Sequence, residues 1–113
     1  MKLSQIKEAL RLDCVYECQE DCDFQHVFAS DLMSDALAMI DDGETTLFLT
    51  GLVNMQSLRT AEMLDIHTIV FVRHKTPDEA MIETAKELDL NLYVTSMTMY
   101  EACGLLYKGG MKP

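Results

Sequence analysis

Four residues with metal-ligand chemistry recur at four-residue intervals near the start of the chain: Cys14, Cys18, Cys22 and His26. Thiolate and imidazole are ligands that zinc and iron accept, so the spacing raises a metal site as one expectation. Four-residue spacing shares a face only in a helix. No close Cys-x-x-Cys knuckle accompanies the four residues, and the acidic stretch around them disfavours thiolate. The expectation is therefore thiols without metal or cofactor. Metal binding through Cys14, Cys18, Cys22 and His26 is the alternative.

A second set of residues suggests anion chemistry. Thr50-Gly51, Arg73-His74-Lys75 and Thr95-Ser96 each follow an apolar run of strand length. Open α/β sheets bind ligands beyond the carboxyl ends of their strands. Glycine there lets backbone amides face a ligand, while hydroxyls near a helix start and a neighbouring arginine favour anions. The expected ligand site is Thr50, Gly51, Arg73, His74, Lys75, Thr95 and Ser96. The competing reading makes Thr76 and Thr98 simple helix caps and the basic cluster a solvated loop.

Catalysis finds little support. The chain has no G-x-x-x-x-G-K-S/T phosphate loop, no G-x-S-x-G elbow and no H-E-x-x-H pair. Asp31 and Asp35 lie four apart, as a metal-binding or acid/base pair on one helix face would, but first-turn carboxylates are stabilised by the helix dipole in any case. His67 opens a strand and reads as packed or solvated. No enzyme activity is expected.

The elements that must position these residues follow from periodicity. Ser4 is placed to cap a helix through Leu10, with Ile6, Ala9 and Leu10 on one face. Residues 14–18 and 24–29 read as two strands joined by an acidic turn, and hence as a hairpin. From Ser30 the period changes, and Leu32, Met33, Ala36, Leu37 and Ile40 mark a helix that ends at Asp42-Gly43. Three strand–helix units follow. TTLFLT (45–50) leads into a helix over 53–64. HTIVFVR (67–73) leads into a helix with Pro77 in its first turn and a capping box at Thr76–Glu79. LNLYVT (90–95) leads into a helix opened by Thr98 and Glu101 and stopped by Gly109-Gly110. Alternation of this kind implies right-handed crossovers and a parallel sheet covered on both faces. The expected fold is a three-layer α/β/α sandwich with a mainly parallel sheet and an N-terminal antiparallel hairpin edge.

Composition sets the outer bounds. A chain of 113 residues, 49% hydrophobic and 25% charged, can bury a core as one globular domain. A net charge of −10 argues against non-specific nucleic-acid or anionic-lipid binding. No apolar run approaches the roughly 20 residues of a membrane helix. MKLSQIKEAL carries Glu8 and no long apolar stretch, so no signal peptide is expected. A cytoplasmic setting with reduced cysteines follows as an expectation. Nine methionines suggest adaptable contact surfaces, and Met33, Met39, Met55 and Met63 are the residues expected at a homodimer contact.

The stretches ASDLMSDALA, KTPDEAMIETAKELDLNLYVT and TSMTMYEACGLLYKGG, in that order, resemble the DRTGG domain family. The resemblance covers nearly the whole chain, 1–113, and its best motifs are Ser30–Asp35 and Tyr100-Glu101-Ala102. DRTGG domains are similar to the N-terminal domain of HPr kinase/phosphorylase. They accompany CBS domains in regulated pyrophosphatases and occur in some phosphotransacetylases. The resemblance implies a regulatory or assembly module that self-associates and catalyses nothing alone. Where a member would read Asp-Arg-x-x-Thr-Gly-Gly, this chain reads Asp21-Cys22-Asp23-Phe24-Gln25-His26-Val27. Asp21 is kept and the arginine and glycines are not, which argues against a ligand role for that loop. The expected partners are a second copy, an anionic metabolite or nucleotide, and a protein partner the sequence does not name.

Overall fold

The computed structural model describes residues 1–18 and 22–113. Helix α1 (Leu3–Leu10) leads into β1 (Asp13–Tyr16), and β2 (His26–Ala29) leads into α2 (Met33–Met39). Then come β3 (Thr46–Thr50), α3 (Met55–Met63), β4 (Thr68–Phe71), α4 (Glu79–Leu88), β5 (Asn91–Val94) and α5 (Met99–Lys108). The five strands form one sheet in the order β1-β5-β4-β3-β2. Strands β2 to β5 run parallel, and only β1 is antiparallel, to β5.

Strand neighbours follow chain order from β2 to β5, so each right-handed crossover steps the same way and deposits its helix on the same face. That face carries α2, α3 and α4, where Met33, Ala36, Leu58, Ala61, Met81 and Ala85 pack on Phe48, Ile69, Phe71, Leu92 and Val94. Helices α1 and α5 cover the other face, setting Leu3, Ile6, Leu10, Ala102 and Leu106 on Leu47, Leu49, Val70, Val72 and Tyr93. Successive strand residues thus serve opposite cores, which is why the central strands read as unbroken apolar runs. The result is the expected three-layer sandwich. Among the described residues no helix is long and apolar enough to cross a membrane.

The expected hairpin is corrected. Strands β1 and β2 lie at opposite edges of the sheet. The segment between Tyr16 and His26 can reach about 30 Å, against roughly 19 Å across four strand spacings. On its way Leu3 N donates to Cys22 O (2.9 Å), Phe24 N donates to Met1 O (2.8 Å), and Phe24 is buried beneath α1. The residues expected at the tip of the turn, including Asp21, lie outside the described residues.

Local signals also moved. Lys2, not Ser4, is the N-cap of α1, and the Gln5 side chain accepts its N–H (2.9 Å). Asp78, not Thr76, caps α4 by accepting from Met81 N (2.9 Å), so Pro77 precedes the cap. The Thr98–Glu101 capping box on α5 is present as expected.

Candidate functional site

The carboxyl rim of the sheet is assembled from four loops, and the one after β4 ties the other three together. Arg73 and His74 both adopt the left-handed conformation, with φ of 60° and 58°. Two such residues in succession, neither glycine, store backbone strain. Two backbone bonds hold them: Arg73 N donates to Met97 O and His74 N to Thr95 O, both at 2.8 Å. The main chain of this loop is thereby fastened to the β5–α5 connection.

Its side chains reach the other way. Arg73 Nη2 lies 3.3 Å from Asp31 Oδ2, and Lys75 Nζ donates to Gly51 O at 3.2 Å. Asp31 Oδ1 accepts the Gly51 N–H at 2.6 Å. The turn that aims Asp31 inward is local, since Ser30 Oγ accepts from Leu32 N (3.0 Å). A Cβ on Gly51 would overlap the Arg73 guanidinium, so glycine is what lets that group lie against the strand end. The Gly51 N–H beside its carboxylate, aided by Arg73 and Lys75, holds Asp31 below the usual carboxylate range, against a smaller opposing effect of burial.

Of the seven rim residues expected from sequence, Gly51, Arg73 and Lys75 converge. Thr50 and Thr95 are buried, and their hydroxyls serve the backbone. Thr50 Oγ1 accepts from Leu52 N (3.1 Å). Thr95 Oγ1 donates to Leu10 O (2.7 Å) and accepts from Met97 N (3.2 Å). His74 and Ser96 are exposed on the same rim. Asp31, expected on a helix face with Asp35, is not a helix residue. It precedes α2 instead and belongs to the rim cluster. Its position just past the end of β2, like that of Gly51 just past β3, was the available signal.

The cysteines lie elsewhere. Cys14 pairs with Tyr93 across β1 and β5. Cys18 donates to Asn91 Oδ1 through its backbone N–H (2.8 Å) and its thiol (3.3 Å). Asn91 Nδ2 faces Cys22 Sγ (3.8 Å) and Thr68 Oγ1 (3.2 Å). His26 sits on β2, at the far edge, with Nδ1 3.0 Å from Pro113 O. The four-ligand set of Cys14, Cys18, Cys22 and His26 is therefore split between opposite edges because β1 and β2 do not pair. Among the described residues no three His, Cys, Asp or Glu side chains are grouped to hold a metal. Burial pushes the Cys14 thiol up, helped by Glu17, and that of Cys18 up, helped by Asp89. Beside them, the Tyr93 hydroxyl donates to Glu17, which also pairs with Lys7.

No protein-family model and no curated protein matches the chain. Among solved structures it is similar to the CBS and DRTGG domains of the regulatory region of Clostridium perfringens pyrophosphatase, complexed with the activator diadenosine tetraphosphate. The TM-score is 0.69 at 14% identity, over 92% of this chain and 45% of that one. The likeness is one of fold. This chain spans less than half the length of that structure.

Proposed function

We propose that this domain is a non-catalytic regulatory module of the DRTGG type that senses a small anionic molecule at the carboxyl rim of its sheet. The observation that carries the reading is the convergence of the Gly51 N–H, Arg73 and Lys75 on an exposed rim, in a chain of net charge −10. His74 and Ser96 flank the site, and Thr50 and Thr95 position its loops. A fold shared with part of a regulatory region supports the same reading. Each charge-assisted contact contributes about 1.5–3 kcal/mol, which suits sensing rather than tight capture. Calorimetric titration of adenine nucleotides and other phosphorylated metabolites tests it. Binding by the native protein that is lost in an Arg73→Ala, Lys75→Ala variant is expected. Equal binding by both, or none by either, contradicts the reading.

Self-association is the second part of the proposal. Leu32, Leu37 and Met39 on and beside α2, and Met63 on α3, are exposed on neighbouring helices. Two of the expected contact methionines thus face solvent. Met55 is half-buried, and Met33 belongs to the core because its position on α2 points at the sheet. A homodimer through this face, in a cytoplasmic setting, predicts that charged residues at Met39 and Met63 yield a monomer by light scattering. An unchanged mass would remove that face.

A further inference from the structure

The bonded cluster around Gly51 holds more positive charge than its one carboxylate balances. Arg73 and Lys75 bring two cations, Asp31 brings one anion, and among the described residues Lys75 makes no ion pair. Its ammonium donates to a neutral carbonyl, Gly51 O. Asp31 meanwhile occupies the place an anionic ligand would take. One carboxylate oxygen sits on a strand-end N–H and the other faces a guanidinium. That pair is open to solvent, with Asp31 50% and Arg73 38% exposed.

We propose, resting on the anion-sensing reading above, that Asp31 is a built-in occupant of this site and that the ligand displacing it carries a dianionic phosphoryl group. A monocarboxylate would exchange like for like against a group already tethered in place, whose effective concentration is on the order of millimolar. A phosphoryl group differs in kind. It brings about two charges and three strong acceptor oxygens, enough to take the Gly51 N–H, Arg73 and Lys75 together. Binding then matches the two cations with two negative charges and releases Asp31 to water. Asp31 stands between β2 and α2, so its release frees the entry to α2 and the exposed Leu32 and Leu37 near it. Ligand capture and loosening of that connection become one linked event.

The test uses the full chain with phosphate, pyrophosphate, adenosine triphosphate and acetate as probes, against native protein, Asp31→Asn and Asp31→Ala. Asparagine keeps an acceptor for Gly51 N–H while removing the charge, so it guards against a folding defect in the alanine variant. Phosphate and pyrophosphate should bind on the order of tenfold tighter to both variants than to native protein, and acetate should not compete in the native protein. Adenosine triphosphate binding better than pyrophosphate would assign the phosphoryl group to a nucleotide, and the reverse to an inorganic source. Hydrogen exchange supplies a readout independent of affinity. In native protein saturated with pyrophosphate, amides of residues 31–36 should exchange faster while Gly51 stays protected. Equal affinity in native and variant proteins, or unchanged exchange at 31–36, overturns the displacement while leaving the anion-sensing reading intact. Binding to none of the three proteins overturns both.

Discussion

The carboxyl rim and the β1 edge both gather polar side chains onto the same sheet, and they do opposite things with them. At the β1 edge the hub is Asn91, fully buried, whose amide joins Cys18, Cys22 and Thr68. Tyr93, also fully buried, donates to Glu17. A buried polar group costs stability unless its bonds are made, so this edge is spent on holding β1 against β5. At the rim the charged groups around Gly51 are exposed, two consecutive residues are held left-handed, and the two cations outnumber the one carboxylate bonded there. Strain and surplus charge contribute nothing to folding. Satisfied polar groups mark architecture here, and unbalanced ones mark the proposed site.

The contrast breaks most visibly at Asn91. Asn91→Ala leaves Cys18 N and Thr68 Oγ1 without their partner and opens a cavity. It should cost about 3 kcal/mol in denaturant unfolding, where the same kind of truncation at exposed Ser96 costs under about 0.5 kcal/mol. Similar losses at both positions would erase the distinction.

Alkaline pH probes the same edge. Burial, then the bond to Glu17, raises the Tyr93 hydroxyl well above the ordinary tyrosine range. A raised folded-state pKa gives stability that is complete below the unfolded value, near 10, and is lost as pH rises past it. The raised Tyr93 hydroxyl should make stability fall progressively as pH rises above about 10, with the raised Cys14 and Cys18 thiols acting in the same direction. In Tyr93→Phe the alkaline slope should shallow by one proton's worth.

At the rim the sign reverses. His74→Gly removes a left-handed non-glycine residue and should raise stability by about 0.5–1 kcal/mol. A loss would mean that the loop is not strained. The smallest effect is on the acid side. The lowered pKa of Asp31 gives stability that is present above the unfolded carboxylate value, near 3.9, and is lost as pH falls through the folded value. With half of its side chain exposed, screening keeps this below about 0.5 kcal/mol, and Asp31→Asn should abolish it.

The sequence carried the sandwich because TTLFLT, HTIVFVR and LNLYVT can be buried only on both faces, which forces helices above and below. It misled where adjacency stood in for topology. Residues 14–18 and 24–29 look like hairpin arms, but nothing local distinguishes a tight turn from a crossing of the sheet, and Phe24 is core beneath α1 rather than strand. That one misplacement also created the Cys–His constellation. The rim was legible as far as strand ends reveal themselves, which identified Gly51, Arg73 and Lys75. The threonine hydroxyls turn inward instead: Thr50 and Thr95 each accept from the N–H two residues on, and Thr95 also donates to Leu10 O from across the fold, a bond no local pattern reveals. The role of Asp31 was hidden because its partners lie 20 and 42 residues away in sequence.

The most direct measurement of the central claim is the amide spectrum of the isotopically labelled protein during titration with pyrophosphate. Saturable shifts of the Gly51, Arg73, His74 and Lys75 amides, with Cys18, Asn91 and Tyr93 unmoved, are predicted. A silent Gly51, or shifts that gather at the β1 edge, would contradict it.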